Sequence, residues 1–259
     1  MEKRLNITPI PAFRDNYIWC LSLGKSAWVV DPGDATPVLA HLEATSLSLE
    51  GILVTHHHPD HTGGICRLSE RFSPRVIGPD NARIQGLTQR VGEGDSVNVL
   101  DCHFTVMEVP GHTLDHLAFF TSDHSPPLLF CGDTLFSAGC GRLFEGTALQ
   151  MFESLRRIGD LPVETLLFPT HEYTLPNLAF AHAVAGDLPA IEARLEECRA
   201  LRLQGQPTLP VTLSAEFSYN PFLMTDNSQI QTSVNRHTGL HLSHASETFA
   251  ALRRWKDEF

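Results

Sequence analysis

Thr55-His56-His57-His58-Pro59-Asp60-His61-Thr62-Gly63-Gly64 sets four imidazoles and a carboxylate close together, directly after the apolar run Gly51-Ile52-Leu53-Val54. Folding alone has no use for such a cluster. Neutral imidazoles and ionised carboxylates lose hydration when crowded, and a bound cation offsets that loss. The spacing H-x-H-x-D-H at the end of a buried strand reads as a metal-binding loop at the lip of a sheet. The competing reading is a solvated His-rich loop or a tag, but a tag sits at a terminus and this loop is internal.

Three later segments also end an apolar run with a ligand-type residue. They are Val109-Pro110-Gly111-His112-Thr113, where Gly111 allows a sharp turn, Phe130-Cys131-Gly132-Asp133-Thr134, and Phe168-Pro169-Thr170-His171-Glu172. A lone His or Asp at a strand end is usually a cap or a surface residue. The information lies in the recurrence of the same placement. Together with the loop they give His56, His58, Asp60, His61, His112, Asp133 and His171. That is too many ligands for one tetrahedral zinc with an open position, and it suits two metals sharing Asp133.

The elements that would carry these residues are short strands up to about residue 170. A hairpin is expected from Tyr17–Leu21 and Ala27–Val30 around Gly24-Lys25. Further strands are expected at Gly51–Val54, Arg75–Ile77, Phe104–Val109, His116–Phe120, Leu128–Phe130 and Thr165–Phe168. Helical patterns fall at about 35–44, 63–71 and 148–159. The strands come in runs with helices interspersed, which predicts a mixed β-sandwich with outer helices. Beyond about residue 172 the pattern becomes helical. Asp187 to Gln204 has a stripe of Leu188, Ile191, Leu195 and Cys198, with Asp187 as the expected N-cap, and Glu247–Phe259 reads as a terminal helix.

At 259 residues with 42% hydrophobic and 19% charged residues, the chain has the composition of a globular protein. Its formal charge of −11 argues against nucleic-acid binding, which needs a basic surface, but leaves room for a local basic grip on a small anion. The six cysteines show no paired spacing, and the N-terminus leads straight into strand-like sequence without an apolar signal core. A cytoplasmic protein with no membrane association is expected.

The motifs THHHPDHTGG, PGHT and GDTLF resemble those of the metallo-β-lactamase superfamily. Within it, Gly139-Cys140-Gly141-Arg142, Phe144-Glu145-Gly146-Thr147, Thr170-His171-Glu172-Tyr173-Thr174, Asn220-Pro221-Phe222 and the tail Arg253-Arg254-Trp255-Lys256-Asp257-Glu258-Phe259 are similar to those of the hydroxyacylglutathione hydrolases, or glyoxalase II. The resemblance runs the length of the chain. It implies an α+β fold, the αββα sandwich with a C-terminal α-helical domain. The division expected is a catalytic domain over 1–172 and a helical substrate-binding domain over 173–259.

The resemblance also implies that His56, His58 and His112 hold one divalent metal and Asp60, His61 and His171 a second, with Asp133 as bridge. Zinc is the first expectation, and His/Asp donors also accept iron or manganese. The implied reaction is hydrolysis of S-D-lactoylglutathione to glutathione and D-lactate by a bridging hydroxide, the second step of methylglyoxal detoxification. Two cations lower the pKa of a bound water from about 15.7 to about 7. Asp60 is expected to orient that hydroxide as well. Arg142, Tyr173, Arg253 and Lys256 are the implied substrate contacts, the last two sharing a helix face at i, i+3.

His57 is read as a spacer facing away from the metals. His41, His103, His116, His124, His182, His237, His241 and His244 are read as surface or satisfied core residues. Where the family often has lysine, tyrosine and arginine, this chain has Arg142, Phe144 and Met224, which predicts altered substrate affinity with the metal chemistry intact. The partner expected is a glutathione thioester, bound by a monomer. The rival reading is a mononuclear-iron glutathione persulfide dioxygenase of the same superfamily. It needs only two histidines and one carboxylate and leaves Asp60, His61 and His171 without a use.

Overall fold

The structure, a computed structural model, describes residues 5–259. Residues 1–4, the start of the N-terminal stretch read as leading into strand, lie outside the described residues. The chain divides into two compact units. One comprises the residues up to Val109 together with Asp115–Gly132, the other Pro110–Leu114 and Asp133–Phe259.

In the first unit the apolar runs become β1 (Asn6–Ala12), β2 (Asn16–Leu23), β3 (Ser26–Val30), α1 (Ala35–Thr45), β4 (Ser48–Leu53), α2 (Pro59–Thr62), α3 (Ile65–Phe72), β5 (Arg75–Gly78), β6 (Gln89–Arg90), β7 (Ser96–Val99), β8 (Cys102–Glu108), β9 (Leu117–Thr121) and β10 (Leu128–Gly132). The expected hairpin closes through Gly24-Lys25, with β2 antiparallel to β3 from Trp19↔Val30 to Leu23↔Ser26. β1 joins the outside of β2, an edge position that tolerates the missing N–H groups of Pro9 and Pro11. From β3 to β6 the sheet is parallel, and α1 and α3 make the crossovers between β3, β4 and β5.

One face of this sheet, including Val29, Ile52 and Val76, packs with Val38 and Leu42 of α1 and Ile65 and Leu68 of α3. The residues of the opposite face, Trp19, Leu21, Trp28, Val30 and Leu53, are buried too. Cover on both sides is why these strands read as unbroken apolar runs. The strands β7 to β10 form an antiparallel meander, and in β8 Phe104 and Val106 are buried while Thr105 and Glu108 are exposed. That alternation marks a sheet with one solvated face at this edge.

The second unit holds β11 (Leu135–Phe136), β12 (Gly139–Cys140), α4 (Ala148–Gly159), β13 (Leu166–Pro169), α5 (Thr174–Ala185), α6 (Pro189–Leu203), β14 (Val211–Thr212), α7 (Leu213–Tyr219), α8 (Ser228–Thr238) and α9 (Ala245–Glu258). α4 packs on α9, and α5 on α6 and α8. Thr147 and Gln150 form a capping box that starts α4 where the pattern placed it. α6 departs from expectation at its start. Its N-cap is Leu188, ahead of Pro189, and Asp187 instead accepts a hydrogen bond from Gln229 Nε2 (3.3 Å). Of the expected stripe, Ile191, Leu195 and Cys198 are buried and Leu188, at the N-cap, is half-buried. No helix among the described residues is long and apolar enough to cross a membrane.

A buried carboxylate organises this unit. Each oxygen of Glu216 accepts two hydrogen bonds. Oε1 takes those of Ser137 Oγ (2.7 Å) and Tyr219 OH (2.8 Å), and Oε2 those of Ala138 N (2.8 Å) and Asn220 Nδ2 (2.9 Å). Burial pushes its pKa up, and these four donors oppose that shift. Asn220 Nδ2 also reaches the carbonyls of Phe136 and Gly139, so α7 fixes the β11–β12 turn just beyond Asp133. Glu216→Ala strands several buried donors at once and is expected to cost at least about 3 kcal/mol. Urea denaturation measures this, and a loss below about 1 kcal/mol would contradict the assigned role.

Candidate metal centre

In the first unit the loop leaves β4 and enters α2, with His58 as N-cap and Pro59 in the first turn. Asp31, just past β3 and held at φ +53°, organises it from below. Its Oδ1 accepts from Thr55 N (2.8 Å), its Oδ2 accepts from Thr55 Oγ1 (2.8 Å), and His61 Nδ1 lies 3.0 Å from Oδ2. The single hydroxyl proton of Thr55 is committed to Asp31, so Thr55 Oγ1 accepts from His56 Nδ1 (3.0 Å). The bond from His56 Nδ1 fixes the tautomer of His56 and leaves its Nε2 as a lone-pair donor, the outer-shell arrangement typical of metal-bound histidine.

The spacing of these donor atoms fits a metal. Ligand nitrogens about 2.0–2.1 Å from a tetrahedral ion lie ~3.3 Å from one another. His56 Nε2 and His58 Nδ1 are 3.0 Å apart, and His61 Nε2 and Asp60 Oδ2 3.5 Å. Asn16 Nδ2 donates to the same Asp60 oxygen (3.2 Å). His57 points away from this group, as expected. It lies against Asp115, with Nδ1 2.9 Å from Oδ1, and Arg83 Nη1 lies 2.6 Å from its Nε2.

The second unit has its own cluster. His112 Nε2 lies 3.4 Å and His171 Nε2 3.3 Å from the same atom, Asp133 Oδ2. His112 Nδ1 donates to the Arg142 carbonyl (2.8 Å), which leaves Nε2 with a free lone pair toward Asp133. Gly111 takes φ +153°, and a Cβ there would fall 2.7 Å from Met151 Cβ, so the expected sharp turn is one that only glycine fits.

The expected substrate residues also lie in this unit. Tyr173 stacks on the His171 ring (centroids 4.6 Å, 4° between planes). Arg142 is largely exposed, over the Phe144 ring and 3.7 Å from Asp257 Oδ1. Arg253 is buried: it donates to the carbonyl of Cys140 (2.9 Å) and to Asp257 Oδ1 (3.1 Å). Lys256 Nζ sits over the Phe180 ring and donates to the Pro176 carbonyl (3.3 Å). Burial, with Arg253 nearby, lowers its pKa to about 8.

Residues 14–171 match the metallo-beta-lactamase superfamily, and residues 172–259 match the hydroxyacylglutathione hydrolase C-terminus. A hydroxyacylglutathione hydrolase of Chromohalobacter salexigens is 53% identical over 257 residues, covering 98% of this chain and 100% of that protein. The chain belongs to the hydroxyacylglutathione hydrolase family. Another relative so named, from Hahella chejuensis, is 48% identical, covering 98% of this chain and 99% of its own. Among solved structures, ETHE1 from Myxococcus xanthus superposes with a TM-score of 0.64 at 24% identity, covering 97% of each chain. At that identity the likeness speaks for the fold alone. The fold is therefore the metallo-β-lactamase one with a C-terminal helical region, and this hydroxyacylglutathione hydrolase family chain is an enzyme whose His/Asp groups suit divalent metal.

Sequence reasoning had not singled out Asp31, Arg83 or Asp115. A signal existed for Asp31. It ends the apolar run Ala27–Val30, the placement that marked the other candidates. Asp31→Asn keeps an acceptor for Thr55 N but turns an amide N–H toward the Thr55 hydroxyl and His61 Nδ1. It is expected to weaken metal binding about 10–100-fold. Competition with a chromophoric chelator measures this, and wild-type affinity would contradict it.

Proposed function

We propose that this enzyme hydrolyses S-D-lactoylglutathione to glutathione and D-lactate, the second step of methylglyoxal detoxification, at a binuclear centre. His56, His58 and His112 would hold one divalent ion, Asp60, His61 and His171 the other, and Asp133 would bridge them. The observation that carries this is the single oxygen Asp133 Oδ2, lying at ligand-edge distance from two different imidazole nitrogens. Such edges suit an ion at Asp133, and the four further donors His56, His58, Asp60 and His61 exceed what one tetrahedral ion with an open position takes, which supports a second. Zinc is the preferred ion, and the donor set also accepts iron or manganese. When bound, the ions supply an acidified water and a Lewis acid for the thioester carbonyl.

The chain's own residues do the rest. Thr55 holds the His56 ring proton away from the ligand atom, and Asp60, near the loop histidines, would accept a proton from water and orient it. Water adds to the carbonyl carbon, and the C–S bond breaks. The glutathione thiolate, with a free-thiol pKa of about 8.5, leaves without a strong general acid. A Ser-His-Asp set is not needed for this chemistry.

Arg142, Tyr173, Arg253 and Lys256 would bind the glutathione moiety, giving residues 173–259 the substrate-binding role and 1–172 the catalytic one. The exposed guanidinium of Arg142 supports direct contact, whereas the hydrogen bonds of Arg253 favour shaping the Cys140–Gly141 carbonyls around it. The six cysteines are all free thiols, consistent with a reducing cytoplasm, and a monomer is the proposed state.

The test is a thioester hydrolysis assay on S-D-lactoylglutathione with metal analysis of the same preparation. Turnover with two metal equivalents is expected, and a two-metal protein that leaves the thioester intact would overturn the reading. Arg142→Ala should raise KM several-fold more than it lowers kcat, and an unchanged KM counts against its assignment. The Lys256 pKa of about 8 sets a pH dependence. The ammonium is charged below that value and neutral above it, so its attraction for the anionic substrate fades as pH rises. KM should climb above pH ~8 in the wild type and stay flatter in Lys256→Met, and identical profiles would remove Lys256 from the binding site.

A further inference from the structure

The metal loop and the segment entering β9 lie alongside each other in antiparallel register. Leu117 N donates to Thr55 O (2.8 Å), the His116 ring stacks on His56 (centroids 4.6 Å, 19° between planes), and Asp115 Oδ1 lies 2.9 Å from His57 Nδ1. Three consecutive loop residues are thus each gripped by one of three consecutive residues of a distant segment. The outermost grip is braced further by the loop between β5 and β6. Asn81 Nδ2 donates to Asp115 Oδ2 (2.7 Å), Arg83 N donates to Asn81 Oδ1 (2.9 Å), and Arg83 Nη1 reaches His57 Nε2 (2.6 Å). The result is a closed circuit of Asn81, Asp115, His57 and Arg83.

The circuit has one hydrogen-bonding solution. Arginine only donates, so His57 Nε2 must accept from Arg83, and the ring proton then sits on Nδ1 and points to Asp115. His57 cannot rotate or change tautomer without breaking one of these bonds. His58 has extended backbone (φ −61°, ψ 146°). Along extended chain neighbouring side chains point to opposite sides, so pinning residue 57 on one side fixes the direction of 56 and 58 on the other. The short separation of His56 Nε2 and His58 Nδ1 depends on that direction.

We propose that Arg83 and Asp115 are positioning residues for the metal centre, acting through His57 on the ion held by His56 and His58. This rests on the binuclear reading above and adds a selective element to it. Asp31 touches His61 directly and His56 through Thr55, so it serves both halves of the loop. The circuit around His57 reaches only the first half.

The deciding measurement is stepwise metal affinity by chelator competition on the full-length protein, with kcat and KM for the thioester on the same samples. Arg83 is exposed, so Arg83→Ala should fold. The expected result for Arg83→Ala and for His57→Ala is about 10–100-fold weaker binding of one metal equivalent, the other staying within about twofold. KM should hold while kcat falls at limiting metal and recovers at saturating metal. Arg83→Lys, which keeps a cationic donor, should restore most of the affinity. Unchanged affinity for both equivalents, or an equal loss at both, overturns the proposal. The wild-type stoichiometry tests the binuclear reading separately. A single equivalent there would defeat that reading, and the positioning role would then stand or fall on whether Arg83→Ala weakens that one ion.

Discussion

The site depends on one desolvated carboxylate. Asp31 lies in a backbone conformation that few non-glycine residues adopt, and it is almost wholly removed from solvent. Such a group is tolerable only when hydrogen bonds replace its lost hydration, and Asp31 takes them from Thr55 N and Thr55 Oγ1, with His61 Nδ1 3.0 Å from Oδ2. Moving any of these partners exposes the carboxylate to an unmet desolvation cost. The constraint passes through Thr55 to His56, so the end of β3 dictates which nitrogen atoms the β4 loop presents. The parallel pairing of β3 with β4 brings those two strand ends side by side.

The second unit repeats this logic with different parts. Glu216 is likewise buried and fully hydrogen-bonded, and the structure it holds is the β11–β12 turn. Arg253 grips the next stretch of the same segment through the Cys140 and Gly141 carbonyls. Asp133 and Arg142 therefore lie at the two ends of a stretch clamped between a carboxylate on α7 and a guanidinium on α9. Of the two basic residues sharing a face of α9, one is committed to this architecture. The other rests on aromatic rings, where burial lowers its pKa to about 8.

Much of this was legible in the sequence. Apolar runs such as Ala27–Val30 and Leu128–Phe130 are strands because burial on both faces leaves no other use for them, and the 148–159 pattern carries its own capping box. The candidate metal ligands were legible because their chemistry is costly to bury without a cation. Asp31, Arg83, Asp115 and Glu216 were not. A single acidic or basic residue among ordinary neighbours reveals its role only when its partners are known, and Glu216 and Ser137 lie 79 positions apart. Asp187 shows the same limit locally: a good capping residue beside a suitable proline still found a different partner in α8.

The antiparallel register between residues 55–57 and 115–117 also bears on how the chain acquires its shape. His57 and Asp115 are 58 residues apart, so the loop receives its final form only after a large closure that folding reaches slowly. The aim of the loop's imidazoles is thus inherited from the far strand, and local sequence alone does not set it.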